Sequence, residues 1–159
     1  MLATLSGTGR RSLHLPDDAA YRRNMSIGNS VVKAVLRSPL HGLLSGSMDV
    51  IRFTGRRSGR EITTPTQYAS LGDDLVILVG RAASKRWWRN FSEPHDLDVL
   101  VRGSWRSMRG RAILGAEEPE TVAPLLQAYL DRFPRVAKSL DPSPESRVRD
   151  AVIVWCHPR

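Results

Sequence analysis

At 159 residues, with a net charge of +8 and 41% apolar against 25% charged residues, the chain has the composition of one soluble globular domain with a core of its own. Its longest purely apolar runs, Leu75 to Val79 and Ala151 to Cys156, are far below the roughly 20 residues of a membrane-spanning helix, and no run near the N-terminus has the apolar centre of a secretory signal. A single cysteine, Cys156, excludes an intrachain disulfide framework and agrees with a cytoplasmic location.

Residues 1–23 lack periodicity and read as a loose arm, with Met25, which opens the first patterned segment, as an alternative start. From Met25 to about Leu44 the residues Val31, Val32, Val35 and Leu36 recur at helical spacing. Pro39 bends or ends that helix near Arg37. Packing on the core is the expected use of its apolar stripe, and peripheral contact with a membrane is the alternative. Strands follow at Asp49–Thr54, Glu61–Ser70 and, after a Gly72-Asp73 turn, Leu75–Gly80. Residues 85–92 read as a short helix closed by Pro94, and Leu97–Arg102 with Trp105–Leu114 as a hairpin across Gly103-Ser104. An acidic first turn, Glu117-Glu118-Pro119-Glu120, opens a helix reaching about Phe133 with Val122, Leu125, Leu126, Tyr129 and Leu130 as its stripe. Residues 134–149 read as a proline-broken connector, and Ala151–Cys156 as a closing strand. The pattern predicts a mainly β, α+β fold. A small closed or half-closed barrel of about six strands with flanking helices occupies residues 24–159 as a single domain.

Two clusters carry the chemistry. The first is Thr54-Gly55-Arg56-Arg57-Ser58-Gly59-Arg60, followed by Thr64-Pro65. A turn between strands that carries three guanidinium groups, a hydroxyl and two glycines is suited to an anion, because arginine presents a fixed fork of donors to phosphate or carboxylate oxygens. A solvated hairpin tip is the competing reading. The spacing is not that of the phosphate loop GxxxxGK[ST]. The second cluster is Lys85-Arg86-Trp87-Trp88-Arg89-Asn90-Phe91. Adjacent tryptophans on a helix diverge by about 100°, so one is expected to plug the core and the other to wall a cavity. Residues 52–111 hold twelve Lys and Arg against six acids, a net +6 that favours an acidic small molecule, nucleic acid or an anionic surface. No RNA-binding consensus or recognition helix is present, so nucleic acid is not the expected partner. The isolated histidines and Cys156 do not have metal-ligand spacing, and no nucleophile is paired with a base. Chemistry, if any, then belongs to a bound cofactor.

The two clusters together, with the closing Val152-Ile153-Val154-Trp155-Cys156-His157-Pro158, resemble the deazaflavin-dependent nitroreductase family of actinobacteria over roughly residues 25–158. That family has a GRKSG-type turn, a threonine- or asparagine-proline on the next strand and a later W-Y-x-N-L segment. The resemblance implies a split β-barrel related to FMN-binding reductases, and a hydride passed from reduced deazaflavin (coenzyme F-420, with FMN as the alternative) to a quinone, nitro or activated-alkene acceptor. It places Arg56, Arg57, Ser58 and Arg60 around the coenzyme's phosphate and oligoglutamate tail, and Thr64 and Pro65 against the ring system. Val79, Gly80 and Arg81 fall at the ring edge or tail, and Lys85, Trp87, Trp88 and Asn90 in the segment that closes the pocket. Tyr129 and Phe133 fall over the acceptor. Tyr129, and after it Tyr68, is the expected proton donor. The protein is expected as a monomer or homodimer. Three departures from the family point to altered acceptor or coenzyme preference: Glu61-Ile62 after the turn instead of proline-arginine, a shorter loop between Gly80 and Trp87 without its proline, and Trp88 in place of tyrosine. A non-catalytic cofactor- or lipid-binding protein is the alternative from another class.

Overall fold

Tyr68 is the pivot of the architecture in the computed structural model, which describes residues 48–159. The expected arm at 1–23 and helix at Met25–Leu44 lie outside the described residues. Seven strands form one antiparallel sheet: β1 (Met48–Thr54), β2 (Glu61–Gln67), β3 (Ala69–Leu71), β4 (Asp74–Leu78), β5 (His95–Val101), β6 (Ser104–Leu114) and β7 (Val152–Pro158). Their order is β2-β1-β5-β6-β7-β4-β3, so the strands at the two ends of the sheet are consecutive in the chain. β2 pairs with β1 as far as Gln67, opposite Met48, and β3 pairs with β4 from Ala69, opposite Val76. One residue spans the two ends. The sheet therefore curls into a half-barrel with an open seam between β2 and β3.

The expected mainly β split barrel of about six strands is found, with seven strands among the described residues. The run Glu61–Ser70 is two strands, because Tyr68 turns its ring into the core, 2% exposed, while the chain changes pairing partner. Pro65 is accommodated because β2 has β1 as its only neighbour, and an edge strand tolerates the loss of one N–H. The hairpin turn at Arg102-Gly103 has φ of 50° and 81°, the doubly positive geometry that matches the twist of the flanking strands.

Alternation on the strands divides the molecule into two layers. Inside lie Ile51, Phe53, Leu75, Ile77, Leu97, Val99, Met108, Val154 and Cys156, with Tyr68 and Phe91. Outside, α1 (Pro119–Arg132) covers β3, β4 and β7 with Val122, Leu125, Leu126, Tyr129 and Leu130, the stripe expected from its 3–4 spacing. Arg111 holds Glu118 at the start of this helix through two 2.9 Å hydrogen bonds. The connector expected over 134–149 is partly helical, with α2 (Pro134–Ala137) and α3 (Pro144–Asp150). Each has proline at its start, where the missing N–H costs nothing, and Ser143 caps α3 by accepting from the Ser146 N–H. None of the described helices is long and apolar enough to cross a membrane.

Gly115, at the end of β6, donates its N–H to the Ala151 carbonyl at 2.9 Å, and a Cβ there would lie 1.6 Å from the Val148 carbonyl oxygen. The end of α3 must retreat to admit any side chain. Gly115→Ala is expected to lower stability by about 3 kcal/mol or more in urea denaturation, and an unchanged midpoint would mean that α3 is not held against β6.

Candidate cofactor site at one end of the barrel

The strand directions bring the turn after β1, the segment after β4 and the approach to β5 to the same end of the barrel. In the turn, Gly55 N–H donates to the Arg60 carbonyl and Gly59 N–H to the Gly55 carbonyl, both at 2.8 Å. Gly59 has φ of 62°, and a Cβ on Gly55 would strike Ser58 Oγ at 2.6 Å, so both glycines are required. Ser58 Oγ accepts from the Arg60 N–H at 3.3 Å. The hydroxyl therefore closes the turn from within.

The two clusters singled out in the sequence meet here. Asn90 Oδ1 accepts the Arg56 N–H at 2.9 Å, and its Nδ2 donates to the Trp87 carbonyl at 2.8 Å. The Arg56 guanidinium donates to Ser92 Oγ at 2.9 Å. His95 Nε2 sits 2.7 Å from the Thr54 carbonyl, a group that only accepts, so that nitrogen carries the proton. Asn90 and Arg56 thus latch the turn to the tryptophan segment. That segment is a 3-10 turn, Trp87–Phe91, preceded by a second at Ala82–Ser84 with Arg81 at φ 53°.

The expected division between the tryptophans is not observed. Trp87 and Trp88 are both half-buried against the edge of the barrel core, and the plug is Phe91, 0% exposed, edge-on to Phe53 at 4.9 Å between ring centres. A 3-10 turn advances each residue by about 120°, so Phe91 lies under Trp88, three residues on, and is the deeper of the two. Trp88 Nε1 donates to the Ala82 carbonyl at 3.0 Å, which ties the loop after β4 to the same unit.

Arg57, Arg60, Arg81, Lys85 and Arg86 are exposed at this end, and none has an acidic partner among the described residues. Val79 is a core residue whose N–H is given to the Val152 carbonyl at 2.9 Å, and Gly80 is exposed beside it. On β2, Thr64 faces the barrel interior opposite Ile51, and Pro65 faces out opposite Val50. On the outer face of β1 and β5 a cavity of about 210 Å³ is lined by Arg52, Thr54, Glu61, Asp96, Asp98 and Arg159, so acids lie on that side of the turn. Arg52 is committed there to Asp98 at 2.9 Å, and Arg159 to Asp96 at 3.2 Å.

Tyr129 and Phe133 come together as their spacing implies, with ring centres 4.8 Å apart, but they lie toward the seam, roughly 20 Å along β2 from the turn. The Tyr129 hydroxyl donates to Gln67 Oε1 at 3.0 Å, and burial, aided by the Asp49 carboxylate, pushes its pKa up to about 12. Tyr68 and Tyr129 belong to different layers, one inside the barrel and one outside.

Asp49 was missed in the sequence. It is fully buried, it accepts from Thr66 Oγ1 at one carboxylate oxygen, and its Oδ2 has no hydrogen-bond partner among the described residues. Desolvation raises its pKa to about 6, against a lesser lowering by Thr66. A carboxylate in phase with Ile51 and Phe53 on an otherwise inward-facing apolar row was the signal available.

No protein-family model and no curated protein matches the chain. Among solved structures, a protein solved as a domain-swapped dimer aligns at TM-score 0.52 with 12% identity, covering 89% of this chain and 100% of that one. An F420-H2-dependent reductase, FDR-A, aligns at TM-score 0.50 with 13% identity, covering 70% of this chain and 94% of that one. An FAD- and haem-binding protein from Mycobacterium smegmatis aligns at TM-score 0.45 with 17% identity, covering 76% and 69%. The likeness is one of fold: the chain is a split β-barrel of the flavin-reductase-like kind, and an F420-H2-dependent reductase is among its structural neighbours.

The buried carboxyl carries a stability prediction. A folded pKa of about 6 above an ordinary 3.8 means that the folded state binds the proton more tightly. The stabilisation is complete below about pH 4 and is lost as pH rises through about 6, a change of about 3 kcal/mol. Asp49→Asn removes this dependence. Urea denaturation of both proteins should show the balance move by that amount in the variant's favour from about pH 4 to about pH 7, and a pH-independent difference would refute the assignment.

Proposed function

We propose that the chain is an oxidoreductase that binds a reduced deazaflavin coenzyme at the cationic end of its barrel and passes a hydride to a small quinone, nitro or activated-alkene acceptor. The observation that carries this reading is the Asn90 bridge from the Arg56 N–H to the Trp87 carbonyl. It joins the anion-binding turn and the aromatic segment into one rim, and Arg57, Arg60, Arg81, Lys85 and Arg86 are left exposed around it. The residues present suit the coenzyme in the chemistry of their donors: unpaired guanidinium and ammonium groups for phosphate and carboxylates, and half-buried indoles for an aromatic ring system. When bound, the deazaflavin supplies a hydride, since a carbon replaces the N5 of flavin.

The chain's own residues bind and orient. Arg57 and Arg60 hold phosphate, with Arg56 and Ser58 shaping the turn that presents them. Arg81 and Lys85 extend the cationic surface toward the tail. Thr64 lies along the ring with the backbone of Val79 and Gly80, Pro65 stands on the outer face of the same strand, and Trp87, Trp88 and Asn90 close the rim against water, which strengthens electrostatic contacts inside. Tyr129, through its hydrogen bond to Gln67, and Phe133 support the seam end of β2 from outside, with the acceptor on the inner face. A cytoplasmic monomer or homodimer, with peripheral membrane contact through the N-terminal helix, completes the reading.

A second reading is favoured by one observation. Glu61 lines the outer cavity beside the turn with no cationic partner among the described residues, while Asp96 and Asp98 there are matched to arginines, so Glu61 is the group that disfavours an oligoglutamate tail on that side. A shorter anionic cofactor such as FMN meets no such repulsion.

Titration of the purified protein with deazaflavin, FMN and FAD, read by tryptophan fluorescence, separates the two. Deazaflavin is expected to bind most tightly. Each charge-assisted contact contributes about 1.5–3 kcal/mol, so Arg57→Ala should weaken binding roughly tenfold to a hundredfold with an unchanged Tm. Tighter binding of FMN selects the second reading. Unchanged affinity in the variant returns the turn to a solvated hairpin tip.

A further inference from the structure

Asp49 is the one charged side chain fully buried among the described residues. It lies at the start of β1 and opposes Thr66 across the β1–β2 ladder, with Thr64 and Ile62 on the same inward side of β2. The Thr66 hydroxyl is hydrogen-bonded to Oδ1, and Oδ2 is left without a partner among the described residues. No cation among the described residues offsets the charge. A fully buried carboxyl with one oxygen unpartnered among the described residues is costly, and the Thr66 hydrogen bond reduces that cost only in part. Such groups are found where a protein needs a proton held near neutral pH.

We propose that Asp49 and Thr66 form a proton relay into the interior face of β2, with Asp49 holding the proton that accompanies hydride transfer and Thr66 passing it to the acceptor. The inference rests on the proposed function. Reduction adds a hydride to one atom of the acceptor, supplied by the reduced deazaflavin, and a proton to another. When Asp49 is protonated on Oδ1 the hydrogen bond between the two groups reverses and the Thr66 hydroxyl turns toward the acceptor; the Thr66 O–H bond then breaks toward the acceptor as the Asp49 O–H bond breaks toward Thr66 Oγ1. One acceptor–hydrogen bond forms, the threonine hydroxyl is regenerated, and the carboxylate left behind is reprotonated from water. A hydroxyl between donor and acceptor suits this, since it gives and receives a proton at once.

The other titratable groups that act on or feel Asp49 are less suited. Tyr129 on α1 is held protonated up to about 12 and gives its hydrogen bond to Gln67 on the outer side of β2. Cys156 on β7 faces the interior with its thiol pushed up by burial and by the Asp49 and Asp74 carboxylates. Asp49, at about 6, is matched to neutral pH.

The test has one arm without cofactor. In the uniformly carbon-13-labelled full chain, the Asp49 carboxyl carbon should titrate near pH 6, and Thr66→Val should raise that midpoint by about one unit by removing the bond that favours the charged form. A midpoint near 4, or one unmoved by Thr66→Val, overturns the relay. In the loaded protein, turnover should fall tenfold per pH unit above about 6. Asp49→Asn should abolish that limb and slow turnover by about 10²-fold or more at unchanged KM for the acceptor. Tyr129→Phe should leave the limb in place. A limb that survives in Asp49→Asn, or that vanishes in Tyr129→Phe, also overturns it. If the loaded protein shows no turnover, the proposed function falls, while the carboxyl titration and its response to Thr66 are decided independently.

Discussion

The link of a single residue, Tyr68, between the two ends of the sheet is the constraint from which the rest of the architecture follows. β2 and β3 stand at opposite ends of the strand order, yet only Tyr68 separates Gln67 from Ala69. A chain advances about 3.8 Å from one Cα to the next, so the ends must be neighbours and a seven-stranded sheet must curl. Curling creates an interior, and the Tyr68 ring fills part of it. The seam remains because no ladder joins β2 to β3. Near it stand two polar pairs, Asp49 with Thr66 across the β1–β2 ladder and Gln67 with Tyr129 of α1.

Curling also fixes where the functional groups go. In an antiparallel sheet, the turn after β1, the exit from β4 and the entry to β5 share one end. Segments far apart in sequence are then joined by short bonds: Arg56 to Asn90 across 34 positions and Thr54 to His95 across 41. Phe91 secures the aromatic segment from below by packing on Phe53, while Asn90 secures it from the side. Arg57, Arg60, Arg81, Lys85 and Arg86 of the rim have no acidic partner among the described residues. Elsewhere Arg52, Arg109, Arg111 and Arg159 are each matched to an acid. Exposed like charges left unmatched repel one another.

Much of this was legible in the residues. The stripe Val122, Leu125, Leu126, Tyr129 and Leu130 is the buried face of α1, because 3–4 spacing leaves one helix face apolar. The strand positions were readable from alternation, and the turn between β1 and β2 from its glycines. The division of Glu61–Ser70 was not, because both halves have strand character and the change of partner at Tyr68 is a tertiary event. The roles within the Trp87–Phe91 segment were hidden for a related reason: a 3-10 turn and an α-helix place successive side chains at different angles, and the sequence does not declare which forms. Asp49 was overlooked because one acid in a strand reads as a solvent-facing residue. Its phase with Ile51 and Phe53 says otherwise.

Stability alone does not account for the seam. An asparagine at position 49 would keep an acceptor for Thr66 Oγ1 and avoid burying a charge, and a valine would pack beside Ile51 at no electrostatic cost. The carboxyl is retained where its proton affinity is near neutral, on the same inward side of β2 as Thr64, the residue that the family resemblance sets against the ring. The cationic rim and the buried acid thus stand at the two ends of one strand pair, roughly 17 Å apart along β1. Charge left exposed at one end and charge left uncompensated at the other are both unfavourable in the isolated fold.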